Sequence, residues 1–170
     1  TYDPTSAIEW LAAQTDLTVA GMGDIMTGIV RAEIMNGLKD GRPFVETASR
    51  LQSLLGPWIG ATGADPRSVS PARLLTTVRT LATASYNHGR VVEARQLKSI
   101  VTGMQHSSIL DAVTSNICRS LHGRCYKIDN PLLDRMTPPL HYRCRPILIP
   151  IMLTDDVTND PNDKLHWATP

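Results

Sequence analysis

Aromatic residues are scarce: one Phe, three Trp and four Tyr in 170 residues. A core therefore has to be built from Leu, Ile, Val, Ala and Met. An excess of one charge is also missing. Seventeen Lys and Arg against sixteen Asp and Glu leave a net charge of +1, so no global field draws the chain to nucleic acid or to an anionic membrane. Binding of that kind would need a local basic face. No apolar run reaches the ~18–20 residues that cross a bilayer, and no charged-then-apolar leader opens the chain. Three cysteines, an odd count, do not make the paired framework of a small secreted domain; they fit a reducing cytosol or a metal site. There is no internal repeat and no low-complexity tract.

What is present is the composition of a folded protein, 42% hydrophobic and 19% charged. The length suits one ordinary domain, or a helical domain with a small satellite. The first residue is Thr1, which reads as a piece of something longer.

The first hundred residues carry helical spacing. Ser6-x-x-Glu9 is a capping-box pattern opening a short helix through Ile8, Trp10 and Leu11. Met22, Ile25, Met26, Ile29, Val30 and Ile34 recur on one face until the glycines and proline of "NGLKDGRP" intervene. A third helix is expected from Phe44 to Leu55, and "GATGADPRSVS" reads as a loop. Ser70-Pro71 places proline at a first helical position and predicts a long helix to about Ile100. Leu74, Val78, Leu81, Ala82, Ser85 and Val92 form its apolar stripe, and Gly89 is a candidate break.

After Gly103 the pattern changes. "HSSILDAV" alternates like a strand, "TSNICRSLHG" reads as a short helix capped by Thr114, and "RCYKI" and "PILIPIML" read as strands. Pro146 and Pro150 confine the last to a sheet edge or to its irregular ends. The expected architecture is α+β. It comprises a mainly helical region (1–102) with one long helix, a small α+β module (103–153) with a short, mainly antiparallel sheet, and a polar extended tail (154–170).

The chemistry-bearing residues are few. "GMGDIMTG" lacks phosphate-loop spacing and a lysine. Asp111, Ser107 and His122 would make a catalytic group only if folding assembled them. Cys118, Cys125, His141 and Cys144 would make a tetrahedral Cys₃His zinc set, or else three buried thiols and a histidine bonded within a turn. Arg73, Arg79, Arg90, Arg95 and Lys98, with Arg143 and Arg145, would make either a phosphate-binding face or a solvated, salt-bridged one.

Three ordered blocks carry more than any of these alone. They are "ARLLTTVRTLATASYNHGR", "ILDAVTSNICRSLHGRCYKID" and "TPPLHYRCRPILIPI". Together they resemble the Mu F-like minor head proteins of tailed phages, the head-morphogenesis family. The positions that carry the resemblance are Arg79, Thr80, Asn87 and Arg90; then Asp111, Thr114, Cys118, Leu121 and Gly123; then Pro138, Pro139, His141, Cys144 and Arg145. The resemblance implies a structural, non-enzymatic capsid component. Such a protein associates with the portal and other head proteins in the host cytoplasm and stays inside the virion. It would have a bearing on packaging or delivery of double-stranded DNA, and no membrane role. Many relatives look like C-x-x-C…H-x-x-C-x-C around these blocks; here Ser115 and Pro146 stand where two of those cysteines fall. A cross-brace without metal between the short helix and the last strand is therefore expected. A zinc-braced nucleic-acid module and a virion-delivered enzyme are the alternatives.

Overall fold

The computed structural model describes residues 5–13, 24–56, 71–158 and 166–168. Four helices come first: α1 (Thr5–Ala13), α2 (Asp24–Lys39), α3 (Phe44–Leu54) and α4 (Pro71–Gln96). Then follow β1 (Val101–Ser107), α5 (Asn116–Leu121), β2 (Arg124–Lys127), α6 (Leu132–Met136), β3 (Ile147–Met152) and β4 (His166–Trp167). The α+β class and the long helix are as the sequence implies.

The helical half is built as its spacing predicts. Val30, Ile34 and Leu38 on α2 bury against Ala48, Leu51 and Leu55, against Val78 and Leu81 of α4, and against Ala7. Each of the Val, Leu and Ile side chains taken out of water contributes about 1.5–3 kcal/mol. Buried Glu33 is neutralised by Arg42 and by Arg50, the latter at 2.8 Å, which ties the α2–α3 connection to α2.

Helix α4 runs through Gly89 without a break. The glycine is there because α1 lies against it: a Cβ at 89 would sit 2.7 Å from the Ala7 amide nitrogen. The stripe holds at Val78, Leu81, Ala82 and Ser85, but Val92 is exposed. Helix α1 starts at Thr5, so Ser6 lies inside its first turn instead of capping it. Residues 57–70, which include the expected "GATGADPRSVS" loop and Ser70, together with Met22 and the side chains of Trp10, Leu11, Ile25, Met26, Arg73 and Leu74, lie outside what the structure describes.

The sheet has the order β3-β1-β2-β4. Strands β1–β2 and β1–β3 are antiparallel, and β2–β4 is parallel. A second core forms on one face from Met104, Tyr126, Ile128, Leu133 and Leu148, with Val91 and Ala94 of α4 packed into it. One helix thus backs both cores.

Three local expectations need correction. The first strand is Val101–Ser107, earlier than "HSSILDAV", because Ser108 and Thr114 turn the following residues into a hydrogen-bonded loop. This leaves Ile109, Leu110 and Val113 exposed. The cap of α5 is Ser115, not Thr114: its hydroxyl accepts from the Cys118 N–H. The tail beyond Thr154 is more than a solvated extension, since Thr158 bridges to His166 and β4 completes the sheet.

A candidate cysteine–histidine centre and the motif residues around it

Helix α5 presents Cys118 on its buried side. The turn after α6, with a cis Pro138–Pro139 bond, brings His141 and Cys144 to meet it. Cys118 Sγ lies 3.7 Å from Cys144 Sγ and 3.0 Å from His141 Nε2, while Ser115 Oγ is 2.8 Å from the same nitrogen. His141 Nδ1 is 2.8 Å from the Tyr142 carbonyl. A carbonyl only accepts, so Nδ1 carries the hydrogen and Nε2 turns its lone pair toward the sulfurs. Burial pushes the Cys144 thiol up to about 11, against which the Leu140 N–H donated to its sulfur acts only partly.

Cys118, His141 and Cys144 are the group that is drawn together; Cys125 is not part of it. Cys125 sits in β2, where the pleat turns it into the interior. Its thiol donates to the Gly123 carbonyl, and burial raises it to about 11. The four-ligand set expected from sequence is therefore reduced to three.

The remaining motif residues position one stretch of main chain, residues 143–148. Thr80 Oγ1 accepts from the Arg143 N–H, holding a residue whose φ of 62° is left-handed. Thr76, unmarked in the sequence, accepts from Arg143 Nε. Two turns along, Asn87 Nδ2 donates to the Pro146 carbonyl at 3.1 Å and Oδ1 accepts from the Leu148 N–H at 2.7 Å. Arg90 donates to the Leu148 carbonyl at 3.1 Å. Strand β3 is an edge strand, and Leu148 turns its main chain away from β1. On that margin Pro146 and Pro150 have no N–H, Leu148 is taken by Asn87, and Met152 donates to Asp155. The prolines and side chains leave no free N–H there from residue 146 to 152, which closes the edge to pairing.

From the other side, Arg145 forms a two-pronged pair with Asp111 at 2.6 and 2.8 Å, and Thr114 lies 2.8 Å from the same carboxylate. These bonds, Arg145 foremost, hold the Asp111 carboxyl well below the usual carboxylate range. Leu121 is buried, Gly123 takes a φ of 87° just past α5, and buried Pro138 shapes the turn with Pro139. Arg79 is exposed and does not join these contacts.

Of the loosely grouped Asp111, Ser107 and His122, the first and last serve other bonds. Asp111 is held by Arg145, and His122 Nδ1 accepts from the Ser108 N–H. Sequence reasoning marked Ser115 as a replaced cysteine but missed its hydroxyl's part as α5 cap and His141 neighbour, for which Ser-x-x-Cys spacing was the available signal. It also missed His106, fully buried in β1 with Nε2 unpartnered among the described residues. Burial, then nearby His122, lowers His106 to about 4.

A family model described as "Phage Mu protein F like protein" matches residues 28–149, well over half of the chain. The Mu-like prophage FluMu F protein of Haemophilus influenzae is 26% identical over 131 residues. That match takes in 75% of this chain and 31% of the relative, so the chain spans about a third of the length of that relative. No solved structure matches the chain. With the matched range enclosing every motif position from Arg79 to Arg145 and the structure drawing the three blocks together at residues 141–148, the chain belongs to the phage Mu F-like family of head-morphogenesis proteins.

Proposed function

We propose that this protein is a structural component of a phage head that docks on the portal during assembly and remains in the virion, acting by binding instead of by chemistry. The observation that carries this reading is what the motif residues do. Thr80, Asn87, Arg90, Asp111, Arg145 and the Cys118–His141 contact all fix segment 141–148 in place. Side chains bonded to main chain or to one another position a surface; family membership supports the setting. The test is sedimentation of the parent protein with purified portal protein, together with composition of isolated procapsids. Co-sedimentation and presence in procapsids are expected, and absence from procapsids refutes the proposal.

A second reading, a zinc-braced module, is favoured by one distance. Two thiolates on one tetrahedral zinc at about 2.3 Å stand about 3.8 Å apart, and the Cys118–Cys144 pair is at 3.7 Å. Cys118, Cys144 and His141 Nε2 would hold the ion, with the fourth position left to the Ser115 hydroxyl or to water. The metal would supply a structural cross-link between α5 and the turn. His141 is nearer to Cys118 than a shared ion leaves it, which is the geometry of a direct sulfur–nitrogen hydrogen bond. One zinc per chain by elemental analysis, lost in Cys144→Ser, is the result this reading requires. Metal-free protein whose melting temperature is indifferent to chelator removes it.

A further inference from the structure

Between the exposed face of α4 and the 109–113 and 143–147 segments lies an open groove of about 950 Å³. Its lining holds Arg79, Arg90, Arg143 and Arg145 and no carboxylate. Four positive charges here against +1 for the whole chain leave −3 for the rest, so basic charge is concentrated at this face. Asp111, paired to Arg145, offsets part of it from the rim. Between the arginines the walls are apolar and wet: Val113 is 80% exposed, Ile109 57% and Ile147 43%. The groove follows α4 from Ala72 to Arg90, which at 1.5 Å per residue is about 27 Å, or five helical turns.

Resting on the portal-docking reading above, we infer that this groove receives an amphipathic helix of the portal protein, its apolar stripe on Ile109, Val113 and Ile147 and its Asp and Glu residues facing Arg79 and Arg143. Charge complementarity selects an acidic occupant. The exposed apolar walls select a protein segment over a phosphate backbone, which would leave them in contact with water. An apolar stripe flanked by matched charges is the ordinary form of helix-in-groove recognition. Arg143 is already oriented for it, since its Nε bond to Thr76 holds the guanidinium against α4.

The test measures binding of the full parent protein to purified portal protein, wild type against Arg79→Glu and Val113→Asp, with Arg124→Glu on exposed β2 as control. Among the described residues neither altered side chain makes a hydrogen bond or ion pair, so melting temperatures stay at the wild-type value. Each change is expected to weaken binding at least about tenfold, the control to leave it unchanged, and added salt to weaken the wild type. A photo-crosslinker at position 113 should attach to a helical portal segment rich in Asp and Glu. Portal binding by the wild type with equal affinity in both variants overturns the groove and leaves portal docking standing. Wild type that does not bind overturns both. Variants that keep portal binding but lose retention on double-stranded DNA overturn the groove in favour of a polyanion surface.

Discussion

Asn87→Ala tests whether α4 holds the edge strand through its main chain. Asn87 is fully buried and donates to the Pro146 and Thr83 carbonyls while accepting from the Leu148 N–H. Alanine removes all three bonds and leaves two strand groups without partners. At about 1 kcal/mol net for each bond, the loss is about 3 kcal/mol. A chain of this size loses about 2–4 °C of melting temperature per kcal/mol, so a fall of about 6–12 °C is expected in a thermal scan. Hydrogen exchange supplies the local readout. The Leu148 amide should exchange about 100-fold faster under native conditions, with β1–β2 amides following only the global change. Arg79→Ala on the same helix should leave both quantities at wild-type values. If Asn87→Ala melts within about 2 °C of wild type and Leu148 stays protected, the strand is held by β1 alone and the assignment of the motif asparagine is wrong.

His106 makes the fold sensitive to acid. Its folded value of about 4 lies below the ordinary 6.5, so its contribution is complete above pH 6.5 and disappears as pH falls from 6.5 to 4. The loss reaches about 3 kcal/mol, and His106→Leu should flatten that stretch of a stability–pH curve. Gly89→Ala should lower stability although alanine favours helices by about 1 kcal/mol, because the new Cβ meets the Ala7 backbone; urea titration reads the sign. Ser115→Cys adds a third sulfur beside His141 Nε2 and should tighten zinc uptake in a competition assay, while losing a cap worth about 1 kcal/mol in metal-free protein. Asp111→Asn breaks the two-pronged pair with Arg145 and should speed proteolysis of the 108–115 loop with little change in global melting.

The parts legible in the sequence were those set by period or by order. The stripe through Val30, Ile34 and Leu38, the proline start of α4 and the edge placement of β3 all follow from local rules. The parts that were not legible depend on tertiary partners. Gly89 looks like a weak point until α1 lies against it, and the same residue then becomes a requirement. The apolar alternation at "ILDAV" has the form of a strand. Thr114 and Asp111 instead satisfy the local backbone, and Ile109 and Val113 are left outside. Cys125 matched a ligand set by type, but strand direction decided its fate. Of the candidate centre, Cys118, His141 and Cys144 were readable as an ordered pattern. Ser115 was hidden because Thr and Ser adjoin at 114–115 and either makes a good cap. The division of labour at Asn87, one amide serving two strand groups, has no signature in a single sequence.

The margin of β3 has a consequence for how this protein meets others. A sheet border stripped of donors gives a second copy, or a stray extended chain, nothing to zip onto, however crowded the surroundings. Self-stitching through this border is blocked at its starting point. Association along it must then proceed through side chains, where each contact can be chosen residue by residue and so restricted to the intended neighbour.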